Sequence, residues 1–277
     1  MPIWTPSPTR TTKLVVRVGS WFGTAKIESS ENGTLRAEST IDILAIAAHR
    51  DDVEQTCGGT LLAMNARGWR TGILDLTQGE SGTRGTAADR AAEAADAARI
   101  LNVAQREALD LPDGNVQNTY ENRLKIAAVL RRLRPRVVIL PYWQGRHPDH
   151  YTCAILGYEA CFVSGLAKVE TPGEANPPHR PFKILYASLY ADVRPTFVVD
   201  ITPFVEQRLQ SLLAYRSQYA SQDQGSKLFV PEEEIRERTL TEARHYGLLA
   251  GVRYAEPFVQ KEIGLVEDVM QLPVQSI

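Results

Sequence analysis

Residues 41–47 (IDILAIA) form a short apolar run ending at a polar cluster, the pattern of a buried strand. Helical spacing follows over 55–67, opened by Gly58 and Gly59 and closed by Gly68. Residues 71–76 (TGILDL) read as a second strand and 78–86 as a glycine-rich loop. The alanine-rich stretch 87–101, acidic in its early turns, predicts a helix. A short strand at 108–111 runs into the turn Pro112-Asp113-Gly114, followed by a helix over 120–133 and a buried strand over 136–141 (RVVILP). A loop then carries His147-Pro148-Asp149-His150 ahead of a helix over 152–163. Prolines 172, 177, 178 and 181 make 170–181 a surface connection. Further strands are expected at 182–190 and 196–201, helices at 204–219 and 231–249, and an edge strand or terminal extension at 254–259.

Strands alternating with helices predict an α/β fold: a Rossmann-like, mainly parallel sheet with helices on both faces and a C-terminal helix and strand elaboration. Right-handed crossovers gather the loops after the strands on one edge, where ligands bind in such sheets. Residues 40–277 are expected to form one domain. Residues 1–39 are expected to be a poorly ordered N-terminal extension. Its basic residues Arg10, Lys13, Arg17 and Lys26 precede the first acidic one, Glu28, which faintly resembles a transit peptide, but nothing in it is periodic and a dispensable extension is the reading preferred. No internal repeat is present, and no apolar run approaches the ~18 residues of a membrane span.

A composition of 43% hydrophobic and 23% charged residues suits a soluble chain with a real core. The net charge of −2 gives no electrostatic reason for nucleic acid or an anionic membrane as partner. Cys57, Cys153 and Cys161 are odd in number and form no CxxC, which argues against a disulfide framework or a thiolate zinc site. They read as buried free thiols in a reducing cytoplasm, with a metal or redox role kept open for Cys57. No GxGxxG follows the first strand, so a nucleotide-binding dehydrogenase is disfavoured.

Chemistry concentrates in two clusters. His49-Arg50-Asp51-Asp52 leaves the first strand and His147-Pro148-Asp149-His150 leaves a later one, so three of the five histidines sit at strand ends. Imidazole and carboxylate are the ligands of a catalytic zinc, which takes three protein groups and keeps one position open. Adjacent aspartates cannot both bind one ion well, so one binds while the other faces water. The plainer alternative is capping carboxylates and solvated histidines. In the loop 79–85, Arg84 between glycines either grips a substrate carboxylate or is a solvated turn residue, and Glu80 either serves the site or caps the loop. Asp113 and Asn118 either bind sugar hydroxyls or belong to turns. His179 and His245 read as solvated or core-capping, and the tyrosines at 215, 219, 246 and 254 as core or interface residues.

AHRDDVE at 48–54, GGTL close behind and HPDH at 147–150 resemble the LmbE-like or PIG-L family of metal-dependent N-deacetylases, whose usual pattern is AHPDDxE followed by HPDH. The likeness runs from Ile41 to about Val259 through GILDLTQGESGTRGT, LPDG, RHPDH, FVVDI, AYRSQY and RYAEPF. Within the family it is most similar to the branch that deacetylates N-acetyl-α-D-glucosaminyl L-malate in bacillithiol biosynthesis.

The resemblance implies His49, Asp52 and His150 as metal ligands and Asp51 as general base. It makes His147 the group that stabilises the oxyanion and helps protonate the amine, with Asp149 orienting that imidazole and Arg146 adding positive charge. Arg84, Glu80, Asp113 and Asn118 are the substrate-binding candidates. The metal is expected to be Zn2+, with Fe2+ as the alternative, the assembly a homo-oligomer such as a hexamer, and the setting cytoplasmic. Such a metal polarises an unreactive acetamide and lowers the pKa of its bound water towards ~7. A histidine paired with an aspartate is expected to have a raised pKa. Alternative readings are deacetylation of a mycothiol-type precursor or chitooligosaccharide, or a catalytically lapsed sugar-binding protein. One departure stands out: the family's proline before the paired aspartates is Arg50 here, which frees the backbone and is expected to bring a cation beside the metal.

Overall fold

The computed structural model describes residues 40–189, 191–219 and 231–274, so the expected extension 1–39 lies outside the described residues. Strands β1 (Ile43–Ala47), β2 (Thr71–Asp75), β3 (Gln105–Ala108), β4 (Val137–Pro141), β5 (Lys183–Ala187), β6 (Phe197–Asp200) and β7 (Ala255–Val259) form one sheet in the order β3-β2-β1-β4-β5-β7-β6. The first five strands of that order run parallel. Only β7 is reversed, pairing antiparallel with β5 and β6.

Every residue of β1 is apolar because both faces of the sheet are covered. Leu44 and Ile46 pack against α4 (Tyr120–Leu133) and α5 (Pro148–Val163), contributing to a cluster with Leu130, Leu133 and Leu156. Ile43, Ala45 and Ala47 point the other way, into a cluster with Val53 of α1 (Asp52–Thr56), Leu61 and Leu62 of α2 (Gly58–Asn65) and Leu101 at the end of α3 (Ala87–Leu101). Truncating fully buried Leu61 to alanine would cost about 2–5 kcal/mol.

The helices carry their own stop and start signals. Thr86 and Asp89 form a capping box on α3, and Thr119 caps α4. The chain after β1 and β2 moves to one side of the sheet and the chain after β4 to the other, so the order reverses between β1 and β4. Both histidine clusters leave the carboxyl ends of these two neighbouring strands, where a crevice forms in such sheets.

Several expectations are corrected. The single helix expected at 55–67 is two, α1 and α2, broken at Cys57. Glu256 of β7 explains the break: its carboxylate accepts from the Gly59 and Thr60 amides at 2.9 and 2.6 Å, giving α2 a separate N-terminus. A Cβ on Gly59 would lie 2.9 Å from that carboxylate, so the second glycine is required by close approach. The strand expected at 108–111 lies at Gln105–Ala108. The helix expected from 152 starts at Pro148, since proline suits a first helical turn. The helix expected at 204–219 divides into α6 (Val205–Leu213) and α7 (Arg216–Tyr219), followed by α8 (Glu232–Leu249). The segment expected at the sheet edge is the interior strand β7; its Pro257 is accommodated because pairing with β5 stops at Phe258. Among the described residues no helix is long and apolar enough to cross a membrane.

Candidate active site

His49, Asp52 and His150 converge from the two sides of the switch point. His49 follows β1, Asp52 opens α1 and His150 lies in the first turn of α5. His49 Nδ1 is 3.2 Å from His150 Nε2 and 3.4 Å from Asp52 Oδ2, while His150 Nε2 is 3.2 Å from Asp52 Oδ1. Donors bonded at ~2.0–2.2 Å to a tetrahedral ion lie about 3.3–3.6 Å apart, so two nitrogens and a carboxylate at these separations fit a divalent cation.

Ring nitrogens of His49, His147 and His150 also lie within 4.8 Å of one another, as do donor atoms of His49, Asp113 and Asp149. The second grouping uses the opposite nitrogen of His49: Nε2 lies 3.2 Å from Asp113 Oδ1 and 3.4 Å from Asp149 Oδ2. A ligating imidazole characteristically donates its other N–H to a carboxylate, and Asp113 and Asp149 stand where they would support His49 in that way. Burial opposes a charge on His49, but the Asp52 carboxylate and hydrogen bonds to Asp113, Asp149 and Asp52 prevail and push its pKa up to about 12. Burial likewise opposes ionisation of Asp52, yet His150 and His49 hold it well below the usual carboxylate range. The pocket is built around a positive charge, which also fits a cation.

Asp51 faces away from this triad. Its Oδ1 accepts from Arg90 Nη2 at 3.1 Å and its Oδ2 from the Tyr219 hydroxyl at 3.0 Å. Both oxygens of the expected base are thereby fixed from α3 and α7.

His147 caps α5, with Nδ1 accepting the Asp149 amide at 3.2 Å. That bond leaves the ring hydrogen on Nε2 in the neutral form. Burial, reinforced by the neighbouring charges of His49 and His150, lowers the His147 pKa. The raised pKa expected from an Asp149 partnership is therefore corrected. The Asp149 carboxylate accepts instead from the Gly114 and Val116 amides at 2.8 and 3.1 Å and reaches His49, so it serves the other histidine. Arg146 lies exposed on the loop before His147.

The remaining candidates separate. Asp113 supports His49 and accepts the Ser81 amide at 2.9 Å, and Glu80 accepts the Asp113 amide at 2.8 Å, so both brace the loops against each other. Arg84 is buried, with Nη1 donating to the Gln218 carbonyl at 3.4 Å. Asn118 is held by Arg123 at 2.8 Å and Glu159 at 3.2 Å, joining α4 to α5. The Arg50 guanidinium, expected beside the metal, donates Nη1 to the Ala87 carbonyl at the start of α3 at 3.2 Å. His179 caps the Pro135 carbonyl at 2.7 Å, and the three cysteines are buried free thiols, with burial raising the Cys57 pKa.

Sequence reasoning missed Arg90 and Arg106, and read Tyr215 and Tyr219 only as core or interface residues. Arg106 pairs with Asp75 at 2.8 Å and with Glu54 at 2.6 Å, all three nearly inaccessible. Burial, with Asp75 nearby, raises the Glu54 pKa to about 7 against the pull of Arg106. The one legible signal was charge on a short strand, Gln105-Arg106-Glu107, between apolar neighbours.

The chain matches the family described as PIG-L, GlcNAc-PI de-N-acetylase, over residues 44–161, a span that contains both histidine clusters. It is 32% identical over 228 residues to the diacetylchitobiose deacetylase of Thermococcus kodakarensis, covering 77% of this chain and 80% of that protein. The structure of the conserved protein TT1542 from Thermus thermophilus is similar with a TM-score of 0.74 at 40% identity, over 82% of this chain and 98% of that one. The N,N'-diacetylchitobiose deacetylase of Pyrococcus horikoshii, in complex with an inhibitor, is similar with a TM-score of 0.68 at 27% identity, over 78% and 82% of the two chains.

Proposed function

The chain belongs to the PIG-L family of de-N-acetylases, and on that premise we propose that it hydrolyses the acetamide of an N-acetylglucosamine derivative, releasing acetate and a free amine. The observation that carries this reading is the triad of His49, Asp52 and His150, with the next carboxylate, Asp51, held apart from it by Arg90 and Tyr219.

His49, Asp52 and His150 would hold the cation, zinc by preference and Fe2+ as an alternative that the same donors suit. When bound, such a cation polarises an amide carbonyl and acidifies water. Asp51 takes the proton of the attacking water, and the hydroxide oxygen joins the acetyl carbon. Arg90 and Tyr219 keep its two oxygens from swinging towards the triad. Neutral His147 presents Nε2–H as a donor to the acyl oxygen as that oxygen gains charge. The C–N bond then breaks, and the proton held by Asp51 passes to the departing nitrogen. Acetic acid and amine balance the water consumed, and at neutral pH the acid's proton ends on the amine, leaving acetate.

We infer N-acetyl-α-D-glucosaminyl L-malate, of bacillithiol biosynthesis, as the physiological substrate. Arg84, on the glycine-rich loop whose Ser81 amide bonds Asp113 beside His49, supports recognition of its carboxylates, while Arg146 would add positive charge near the reacting carbonyl. A second reading, N,N'-diacetylchitobiose or a related glucosaminide, is favoured by the activity named for the two archaeal relatives. Acetate release from both compounds by wild-type and Arg84→Ala protein separates the readings. A lost charge-assisted contact of ~1.5–3 kcal/mol predicts a rise in KM of about ten- to a hundredfold for the malate conjugate alone. Equal losses on both would assign Arg84 to bracing Gln218, and a wild-type preference for chitobiose would overturn the malate reading. No acetate from any N-acetylglucosaminide would overturn the deacetylase reading.

We infer self-association as well, supported by Tyr151, Ile155, Tyr158 and Phe162, all exposed along one face of α5, and by exposed Ile263 and Leu265 after β7. A cytoplasmic setting is supported by the three unpaired thiols.

A further inference from the structure

Arg50 is the residue between the first ligand, His49, and the paired carboxylates. Its carbonyl oxygen accepts two hydrogen bonds, from Arg106 Nη2 on β3 and from the Tyr215 hydroxyl at the junction of α6 and α7. Its side chain donates to the Ala87 carbonyl at the start of α3. Three separate elements therefore converge on the residue that precedes Asp51 and Asp52, and the His49 amide on its other side donates to Asp52 Oδ2 at 2.9 Å.

Both donors are themselves immobilised. Arg106 places Nε and Nη2 on Asp75 at 2.8 and 3.0 Å and Nη1 on Glu54 at 2.6 Å. Tyr215 is fully buried, and its hydroxyl also lies 3.3 Å from Glu54 Oε1. Such a network is a poor source of stability. Burying an arginine with two carboxylates is matched or bettered by apolar packing, and here Glu54 Oε2 is buried without a hydrogen-bond partner among the described residues. The arrangement is better explained by what it holds, the Arg50 carbonyl.

We propose that Arg106 and Tyr215 are positioning residues that fix the peptide plane between Arg50 and Asp51. In doing so they restrain through ψ the same residue that a proline ring at position 50 would restrain through φ. Fixing that plane turns consecutive carboxylates to different tasks, Asp52 towards His49 and His150, and Asp51 towards Arg90 and Tyr219. The inference rests on the proposed deacetylase reading for its kinetic consequence, but its structural consequence, the aim of Asp52, is read through metal binding alone.

The test is a double-mutant cycle of Tyr215→Phe and Arg50→Pro, with cobalt affinity and the cobalt absorption spectrum measured beside kcat, KM and Tm. Tyr215→Phe removes only the hydroxyl and keeps the ring in the core. We expect kcat to fall about tenfold at constant KM, with a matching weakening of cobalt binding and an altered spectrum, as a misaimed group produces. In the Arg50→Pro background the same change should cost less than about twofold, because the ring already restrains the loop. Arg106→Lys, which keeps the charge but lacks the second nitrogen, should reproduce the Tyr215→Phe losses should Arg50→Pro fail to fold. Equal losses in both backgrounds, or unchanged cobalt affinity and spectrum in both Tyr215→Phe and Arg106→Lys, would overturn the proposal. Cobalt effects as expected in a protein that deacetylates nothing would sustain the clamp and sink only the function proposed for the site.

Discussion

Asp113 Oδ1 lies 3.2 Å from His49 Nε2, while His49 Nδ1 faces His150 and Asp52. One ring thus joins the inner donors to an outer carboxylate, and that carboxylate comes from the loop after β3, an element remote from both histidine clusters. The Ser81 amide and Glu80 lock the loop in turn.

Replacing Asp113 with asparagine should therefore weaken metal binding about 10–100-fold while leaving the fold intact, the usual consequence of losing a histidine's outer carboxylate. Competition against a chromophoric chelator measures it. Unchanged affinity would mean that Asp149 alone orients the ring.

Metal uptake should be linked to protons. With its pKa pushed up to about 12, His49 holds a proton at neutral pH in the metal-free protein. That proton stabilises the metal-free fold fully below the ordinary imidazole value of 6.5, and the contribution is lost as pH rises towards the folded value. A cation must displace it, so binding should tighten with pH and release about one proton near neutrality. Calorimetry in buffers of different ionisation enthalpy reads the number directly. Metal binding without proton release would contradict the charge state assigned to His49.

The layered sheet was legible because strands buried on both faces read as unbroken apolar runs, as in IDILAIA, and because the helices between them keep their caps. The two histidine clusters were legible because ligand types gather at strand ends, while the choice of Asp52 over Asp51 as the third donor came from the family resemblance alone. What escaped were long-range partners. Nothing local in DRAAEAAD tells that Arg90 bonds Asp51, 39 positions earlier in the chain. Nor could spacing show that Asp149 turns from its neighbour His147 to His49, since the first turn of α5 and the Gly114 and Val116 amides decide it. The helix start at Pro148 was legible in principle, as proline favours a first turn, and would have placed His147 as a cap.

His147 should act as a neutral donor. Its depressed pKa favours the uncharged ring in the folded state, so its contribution to stability is full above 6.5 and is lost as pH falls through the lowered folded value. A proton arriving on Nδ1 breaks the bond from the Asp149 amide. His147→Ala should thus lower kcat by roughly 10²–10³, as loss of an oxyanion donor does, without moving the alkaline limb of the pH profile. Disappearance of that limb in the variant would restore a cationic role for this imidazole.

The proposed mechanism divides the labour between adjacent carboxylates, Asp52 holding the cation and Asp51 moving the proton. It is tested most directly by measuring bound metal and acetate release on the same sample of Asp51→Asn protein. The prediction is about one metal ion retained per chain and a fall of roughly 10²–10⁴ in kcat, the range of a lost general base. Loss of the metal together with the activity, or full activity in the variant, would contradict it.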